Sequence, residues 1–216
     1  MEPGQLGIPA PAGEVAAAVL AGGSSRRMGR DKATLVVGGV ELARGVIEVA
    51  LRAASPVVVV APHDHPAAAL AARAGAGWVP DPGEGPLAAI AAALDAVEAP
   101  HVLVLAADHP ELRAGLLTLL VAERAAGEAV ACRRGQRLEP LVAVYERGPA
   151  LTAARAMLGG ADRSLRGLLG ALRTRVVEER EWRRVDPEGR SFVDLDDPAD
   201  LAAFLARARG EGRPIG

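Results

Sequence analysis

The sequence predicts an α/β protein with three layers, αβα, in which helices cover both faces of a mostly parallel, doubly wound β-sheet. Two observations lead to this prediction. Short runs of uninterrupted apolar residues, such as 15–20, 57–61 and 101–106, are typical of strands that are buried on both faces. These runs alternate with stretches whose apolar residues recur at helical spacing, which indicates parallel strands joined by right-handed helical crossovers.

The strands are predicted from apolar runs that end at glycine, proline or charged residues. The run at 15–20 stops at Gly22 and Gly23, and residues 34–37 continue extended to a turn at Gly38 and Gly39. The remaining predicted strands are 57–61, 77–79, 101–106, 128–132, 138–145 and 175–177.

The helices are predicted from apolar residues three or four positions apart. Two of them show clear stripes, formed by Leu42, Val46, Val49 and Ala50 and by Leu87, Ile90, Leu94 and Val97. The others are predicted at 67–74, 111–126, 149–158 and 164–172, followed by a last helix that packs Leu201, Phe204 and Leu205.

Length, charge and composition limit the classes of protein to consider. The 216 residues suit one domain, predicted over 14–208, with flexible tails at 1–13 and 209–216. A net charge of −2 and the absence of a stretch that combines clustered basic residues with aromatic ones argue against nucleic acid as a partner. No segment resembles a signal peptide or a membrane span. The single cysteine, Cys132, is expected to be a buried apolar side chain, which fits the reducing cytoplasm.

Residues 20–32, LAGGSSRRMGRDK, have the composition of a phosphate-binding loop. Glycines after a buried strand allow backbone N–H groups to face a ligand, and the loop supplies several cations. Lys32 is the only lysine among 25 Lys and Arg residues. An ammonium is a compact point charge that the planar guanidinium does not replace, so Lys32 is predicted to contact phosphate. The alternative is a surface lysine without function.

The glycine spacing of this loop matches neither the Walker A pattern nor the dinucleotide pattern G-x-G-x-x-G. It resembles the signature L-A-G-G-x-S-x-R-M-G-x-D-K of nucleotidyltransferases, and its doubled Gly and its R-M-G-x-D-K ending are most similar to the molybdenum cofactor guanylyltransferases, the MobA group. The resemblance covers about residues 14–208. It implies a Rossmann-like sheet of nucleotidyltransferase type, Mg²⁺ as cofactor, and GTP and molybdopterin as substrates, with proteins that hand over the molybdenum cofactor as candidate partners.

The same resemblance implies a set of site residues. Lys32, Arg26 and Asp108 are the expected catalytic residues. The expected nucleotide-binding residues are Leu20, Ala21, Gly22, Gly23, Lys32, Asp81 and Asp108. The acceptor phosphate, already ionised at neutral pH, would attack the α-phosphorus of GTP without a general base.

Two of these aspartates follow predicted strands. Asp81 precedes E-G-P-L-x-x-I, a family segment, and is expected against the nucleotide; alternatively it forms a turn before Pro82. Asp108 stands at the carboxyl end of a central strand, where ligands of open α/β sheets bind, and the resemblance assigns it to Mg²⁺. Its alternative role is a helix N-cap.

The acidic stretch 194–197 replaces the N-x-N of many guanylyltransferases. A carboxylate is a stronger Mg²⁺ ligand than an amide, so Asp196 is predicted as a second metal ligand, with Asp194 as the other candidate. Alternatively, Asp197 caps the last helix with Pro198 in its first turn, which accounts for one of the three aspartates.

Two further loops carry polar side chains. Residues 62–66 contain two histidines and an aspartate, for which a solvated turn is the alternative to a metal site. The arginines at 133, 134 and 137 form a predicted turn, beside Glu139-Pro140-Leu141, a segment that resembles the acceptor side of the family's cleft. They would meet an anionic substrate or, alternatively, form a solvated tip.

The identity of the nucleotide's base is the least determined part of the functional prediction. Several relatives end the second strand with an Asn that reaches guanine, whereas Val60 stands at the matching position here. Backbone groups of Leu20 and Ala21 are then expected to read guanine. Cytidylyl and sugar-phosphate transfer remain enzyme alternatives, and a non-catalytic nucleotide-binding regulatory subunit is the alternative from another class.

Overall fold

The computed structural model describes residues 13–22, 36–37, 40–195 and 198–210. Its strands are β1 (Val15–Leu20), β2 (Val36–Val37), β3 (Val40–Glu41), β4 (Val57–Ala61), β5 (Gly77–Pro80), β6 (His101–Ala106), β7 (Ala129–Arg134), β8 (Arg137–Glu146) and β9 (Thr174–Val177). Its helices are α1 (Leu42–Ala53), α2 (Pro66–Ala74), α3 (Pro86–Ala96), α4 (Ala114–Ala122), α5 (Arg147–Leu158), α6 (Leu165–Ala171), α7 (Glu179–Trp182) and α8 (Pro198–Gly210).

Seven strands form one sheet in the order β5-β4-β1-β6-β8-β7-β9, and β2 pairs with β3 in a separate hairpin. β1 is parallel to β4 on one side and to β6 on the other, and β8 is antiparallel to both of its neighbours. The chain moves from β1 outward to β4 and β5 before it returns to β6, so the strand order reverses beside β1. Ligands of such sheets bind at this reversal, at the carboxyl ends of the strands. The predicted mostly parallel, doubly wound sheet is confirmed.

Alternate residues of the central strands belong to two different cores. In β1, Ala17 and Val19 pack in the core that contains α1, α2 and α4, while Ala16 and Ala18 pack in the core that contains α3, α5 and α6. All four side chains are fully buried. Because both faces of the strand are covered, its sequence is continuously apolar instead of alternating, and the three layers predicted from that pattern are confirmed.

The predicted bounds of one helix and two strands differ from the structure. The helix predicted over 111–126 is shorter: α4 begins at Ala114, and a separate 3-10 turn, Arg124–Ala126, follows it. Residues 110–113 form a turn whose Arg113 N–H donates to Ser191 Oγ at 2.9 Å. Strands β7 and β8 extend further than predicted, so the turn between them is reduced to Gly135 and Gln136, and Gly135 adopts a φ of 57° that favours glycine.

Helix α8 packs near the start of α1. Leu195 and Phe204 form a small separate core with Leu42, and Leu201 and Leu205 pack against it. The predicted packing of the last helix is thereby confirmed. Leu42 directly follows the hairpin β2–β3, so the C-terminal helix is anchored on the chain that leads out of the predicted phosphate loop.

The single cysteine lies inside β7 and is fully buried. Burial raises the pKa of the Cys132 thiol to about 12, so the thiolate is not populated at neutral pH. Its predicted role as a small apolar core residue is confirmed. Among the described residues, no helix has the length and apolar character needed to cross a membrane.

Candidate active site at the carboxyl edge of the sheet

The carboxyl ends of β1, β4, β5 and β6 lie side by side at one edge of the sheet. Backbone hydrogen bonds just beyond the strands tie these ends together, from Ala21 N–H to the Val60 carbonyl at 2.8 Å, from Asp81 N–H to the Ala61 carbonyl at 3.0 Å and from Ala107 N–H to the Leu20 carbonyl at 3.0 Å. Five of the predicted site residues are therefore held at this edge, Leu20, Ala21, Gly22, Asp81 and Asp108, and Gly22 is in direct contact with Asp81.

The carboxylate of Asp81 lies directly against the backbone of Gly22. A Cβ atom on Gly22 would stand 1.7 Å from Asp81 Oδ2, far inside contact distance. The other oxygen, Oδ1, accepts a hydrogen bond from Gly83 N–H at 2.9 Å and closes a turn. The turn-forming role of Asp81 is confirmed, and the same side chain also reaches the start of the predicted phosphate loop.

If the loop binds GTP, as the sequence predicts, Gly22→Ala should raise the Kd of GTP about tenfold with little loss of stability, because the new methyl group displaces the flexible Asp81 carboxylate from the loop. Asp81→Ala should raise the Kd of GTP by about the same factor. If Gly22 acts through Asp81, the double variant binds GTP no more weakly than either single variant. Calorimetry on the four proteins checks this, and additive losses would show that Gly22 acts on the nucleotide independently of Asp81.

Asp108 follows β6 at the start of a turn and is not a helix cap. Arg113 occupies the N-cap of α4, which begins at Ala114, so the alternative role predicted for Asp108 is wrong. The Asp108 side chain is 26% exposed, and its Oδ1 lies 3.8 Å from Nε2 of His109. His109 is buried and its Nδ1 donates to the Ser191 carbonyl at 2.7 Å, an acceptor that fixes the tautomer and directs Nε2 towards Asp108.

The donor chemistry at Asp108 fits a hard divalent cation. One partly exposed carboxylate leaves room for phosphate oxygens and water, which is the ligand set that Mg²⁺ prefers. Within the described ranges, no three His, Cys, Asp or Glu side chains form a ready-made metal cluster. Leu195 N–H donates to the Asp108 carbonyl at 3.2 Å, which joins the end of the described segment 40–195 to the turn after β6.

A segment at 186–195, here called the strap, is organised by one fully buried carboxylate. Asp186 Oδ1 accepts a hydrogen bond from Arg190 N–H at 3.0 Å, and Oδ2 accepts one from Ser191 N–H at 2.8 Å. Arg113 Nε lies 3.3 Å from Oδ1. Charge-assisted hydrogen bonds of this kind are stronger than neutral ones, so Asp186 holds the strap in one conformation.

The strap contacts both the turn after β6 and the β7–β8 hairpin. Ser191 accepts hydrogen bonds from Arg113 N–H and from His109, which holds the turn after β6. On the other side, the Phe192 carbonyl accepts a hydrogen bond from Arg134 Nη1 at 2.7 Å, which holds the β7–β8 hairpin. The strap therefore fixes the end of β6 relative to the hairpin.

Asp186→Ala is expected to lower the free energy of unfolding by about 2–5 kcal/mol, because the N–H groups of Arg190 and Ser191 lose their acceptor in the protein interior. Asp186→Asn should lower the free energy of unfolding by less, since one acceptor oxygen remains. Urea unfolding followed by the fluorescence of buried Trp182 measures both. The exposed ion-pair residue Asp95 is the control, with at most about 1 kcal/mol expected for Asp95→Ala. A similarly small cost at Asp186 would show that the strap is held by other contacts.

Two of the three arginines predicted in a turn lie at the end of β7 and have structural partners that neither sequence interpretation foresaw. Arg133 Nε donates to Glu178 Oε1 at 3.2 Å, and Arg134 bonds the strap as described above. Arg137 is exposed, as expected for a solvated tip. Two of the three arginines therefore connect the hairpin to neighbouring segments.

The backbone groups predicted to read the base are partly engaged in the sheet. The N–H of Ala21 and the carbonyl of Leu20 both take part in the strand-end hydrogen bonds. The Val60 side chain is fully buried in the core. Among the described residues, the Ala21 carbonyl and the Gly22 N–H, which come next, have no hydrogen-bond partner.

The loop at 62–66 is a turn, as the alternative interpretation predicted. His63 is exposed and packs edge-on against Trp78, with ring centroids 5.3 Å apart. His65 Nδ1 accepts a hydrogen bond from Ala67 N–H at 3.2 Å and caps α2. Both histidines therefore have local structural roles.

Several predicted residues lie outside the described part of the chain. These are Gly23, Arg26 and Lys32 of the signature loop and Asp196 with its neighbour Asp197. Their assigned roles stay predictions from the sequence.

Comparisons with known proteins agree with this arrangement. The family described as "MobA-like NTP transferase domain" matches residues 17–176. A protein of Opitutus terrae named "Probable molybdenum cofactor guanylyltransferase" is 38% identical over 185 residues, covering 80% of this chain and 89% of that protein. A protein of Natronomonas pharaonis with the same name is 36% identical over 196 residues, covering 88% and 96%. Among solved structures, "Molybdopterin-guanine dinucleotide biosynthesis protein A" from Archaeoglobus fulgidus superposes with a TM-score of 0.73 at 28% identity, covering 90% of this chain and 99% of that one.

Proposed function

Because the chain belongs to the MobA-like NTP transferase family and is a nucleotidyltransferase, we propose that it transfers GMP from GTP to the phosphate of molybdopterin and releases pyrophosphate. The observation that supports this most is the placement of Asp81 and Asp108 on either side of the end of β1, where the strand order reverses. Family membership also sets aside the non-catalytic subunit. A cytoplasmic location, and delivery of molybdopterin by other proteins, belong to the same proposal.

The proposed reaction requires alignment more than acid–base chemistry. An oxygen of the acceptor phosphate forms a bond to the α-phosphorus of GTP, and the bond from that phosphorus to the oxygen of the β-phosphate breaks. Pyrophosphate leaves with the bonding electrons. Because the acceptor phosphate is ionised at neutral pH, no side chain has to remove a proton, and the protein contributes orientation and neutralisation of charge.

Residues on both sides of β1 would orient the substrates and neutralise their charge. Asp108 would hold Mg²⁺, with Asp196 as the proposed second ligand. When bound there, the cation would supply positive charge to phosphate oxygens. Lys32 and Arg26 of the signature loop contribute positive charge towards the triphosphate, and Asp81 borders the nucleotide beside Gly22.

Two backbone groups, the Ala21 carbonyl and the Gly22 N–H, support a guanine site at the end of β1. The Ala21 carbonyl would accept a hydrogen bond from guanine N1–H or its amino group, and the Gly22 N–H would donate to O6. The backbone groups expected to bind guanine are therefore those of Ala21 and Gly22, one position later than the Leu20 and Ala21 predicted from the sequence. Since one hydrogen bond to an uncharged group contributes on the order of 1 kcal/mol, we expect GTP to be preferred by a modest margin.

Competition calorimetry with GTP, CTP and ATP in the presence of Mg²⁺ tests the base assignment. We expect GTP to bind at least about fivefold more tightly than the other two, and pyrophosphate release on addition of molybdopterin to follow the same order. Tighter binding of CTP or ATP would contradict the proposal and favour cytidylyl or another nucleotidyl transfer.

A further inference from the structure

Glu139 lies at the same edge of the sheet as Asp108, on the side away from β1. Strands β6 and β8 are antiparallel, with Leu105 opposite Val142. Continuing this register three residues beyond Leu105, and so two residues past the end of β6, places residue 139 alongside residue 108. In the sheet order β1-β6-β8, Glu139 stands two strands from the end of β1, about 10 Å at ordinary strand spacing.

The Glu139 carboxylate is half-buried, and within the described part of the chain it has a long ion pair with Arg134 but accepts no hydrogen bond. Its side chain is 25% exposed, and Arg134 Nη1 stands 3.9 Å from Oε1, beyond hydrogen-bond distance. That nitrogen donates to the Phe192 carbonyl instead. Among the described residues, no other donor reaches the carboxylate. Burial raises the pKa of Glu139, although the nearby charges of Arg134 and His109 oppose this.

A half-buried carboxylate that accepts no hydrogen bond from the protein is less stable than a fully hydrated one, and a ligand that supplies donors offsets this cost. The two carboxylate oxygens accept two parallel hydrogen bonds most readily. A phosphate group would be repelled at this point, so it is expected nearer to Asp108. The ligand that fits is a neutral ring that presents an N–H next to an amino group.

Both substrates of the proposed function contain such a ring edge, in guanine and in the pterin. Guanine is expected at the end of β1, beside Gly22, on the other side of β6 from Glu139. We propose that Glu139 binds the pterin ring of the acceptor by accepting hydrogen bonds from its ring N–H and its exocyclic amino group, with the acceptor phosphate directed towards Asp108. This inference rests on the proposed function, and it orients the acceptor along the edge from β8 to β6.

Steady-state kinetics of Glu139→Gln test the inference. The amide keeps the shape of the side chain but removes the charge and places an NH₂ group opposite the ring donors. We expect the KM for molybdopterin to rise roughly 10–100-fold, as for lost hydrogen bonds to a charged group, with the KM for GTP and kcat within about twofold of wild type. Glu146→Gln is the matched control, because Glu146 lies on the same strand at the opposite edge, paired with His101.

A second measurement needs no variant. Free pterin and its 2-oxo analogue lumazine differ by the exocyclic amino group, and each is added to the wild-type reaction as a competitor of molybdopterin. We expect pterin to inhibit at concentrations at least about tenfold lower than lumazine, since lumazine presents a carbonyl where Glu139 needs a donor.

The outcomes separate this inference from the proposed function. If the wild-type protein transfers GMP to molybdopterin but Glu139→Gln leaves the molybdopterin KM unchanged, the inference alone is wrong. A rise in the KM for GTP instead would assign the carboxylate to guanine and also overturn it. Equal effects of pterin and lumazine count against it in the same way. Absence of any transfer to molybdopterin by the wild type would remove both proposals together.

Discussion

Asp108→Asn is expected to reduce Mg²⁺-dependent transfer by about 10³-fold or more while leaving the fold intact. The substitution keeps the shape of the side chain but removes the charge that a divalent cation needs, and loss of metal-based charge neutralisation costs several kcal/mol of transition-state stabilisation. Turnover at saturating GTP and molybdopterin measures the effect, and thermal unfolding checks the fold. Binding of Mn²⁺ in the presence of GTP, followed by electron paramagnetic resonance, should weaken in parallel.

The control for this prediction is Asp64→Asn. Asp64 is fully exposed in the turn after β4, so its replacement removes one negative charge near the same edge of the sheet without touching Asp108. We expect its turnover to stay within about twofold of wild type. If Asp108→Asn kept a tenth or more of wild-type turnover, another group would be the principal metal ligand.

Lys32→Arg is expected to be nearly as damaging as Lys32→Ala, with both variants about 10²-fold or more below wild type. Removing a single preorganised donor to a transition-state oxyanion typically has effects of this size. The guanidinium keeps the charge but not the shape of the ammonium, and a chain with one lysine among its 25 basic residues has placed it in the signature loop.

Comparison of kcat/KM for the two Lys32 variants measures this directly. Retention of more than about half of wild-type turnover by Lys32→Arg would show that the loop requires only a positive charge. In that case the single lysine would not identify a geometrically specific phosphate contact.

The central strands could be predicted from the sequence because each is buried on both faces. Residues 57–61 form one unbroken apolar run, and the structure places β4 over the same residues with all five side chains buried. Helix α4 was less predictable, because Leu112 is apolar and in phase with the helix although it belongs to the preceding turn. The local sequence pattern cannot distinguish a leucine of the helix from a leucine of the turn before it, because that turn is fixed by Ser191, which lies far along the chain.

The candidate site was predictable where its residues follow strands and not where distant segments meet. Asp81 and Asp108 stand at strand ends, so sheet topology alone brings them to one edge. The roles of Asp186 and His109 have no local signature. The contact of His109 with Ser191 joins residues 82 positions apart. Such positions would need evidence of long-range pairing to be found from sequence.

Transfer of label from [α-³²P]GTP to molybdopterin tests the central proposal most directly. With wild-type protein and Mg²⁺, we expect the α-label to appear in a product that contains both GMP and the pterin, while label from [γ-³²P]GTP appears in pyrophosphate. Asp108→Asn should give neither product above background. The account would be contradicted if the α-label remained in GTP or appeared as free GMP, or if label from [α-³²P]CTP were transferred in preference.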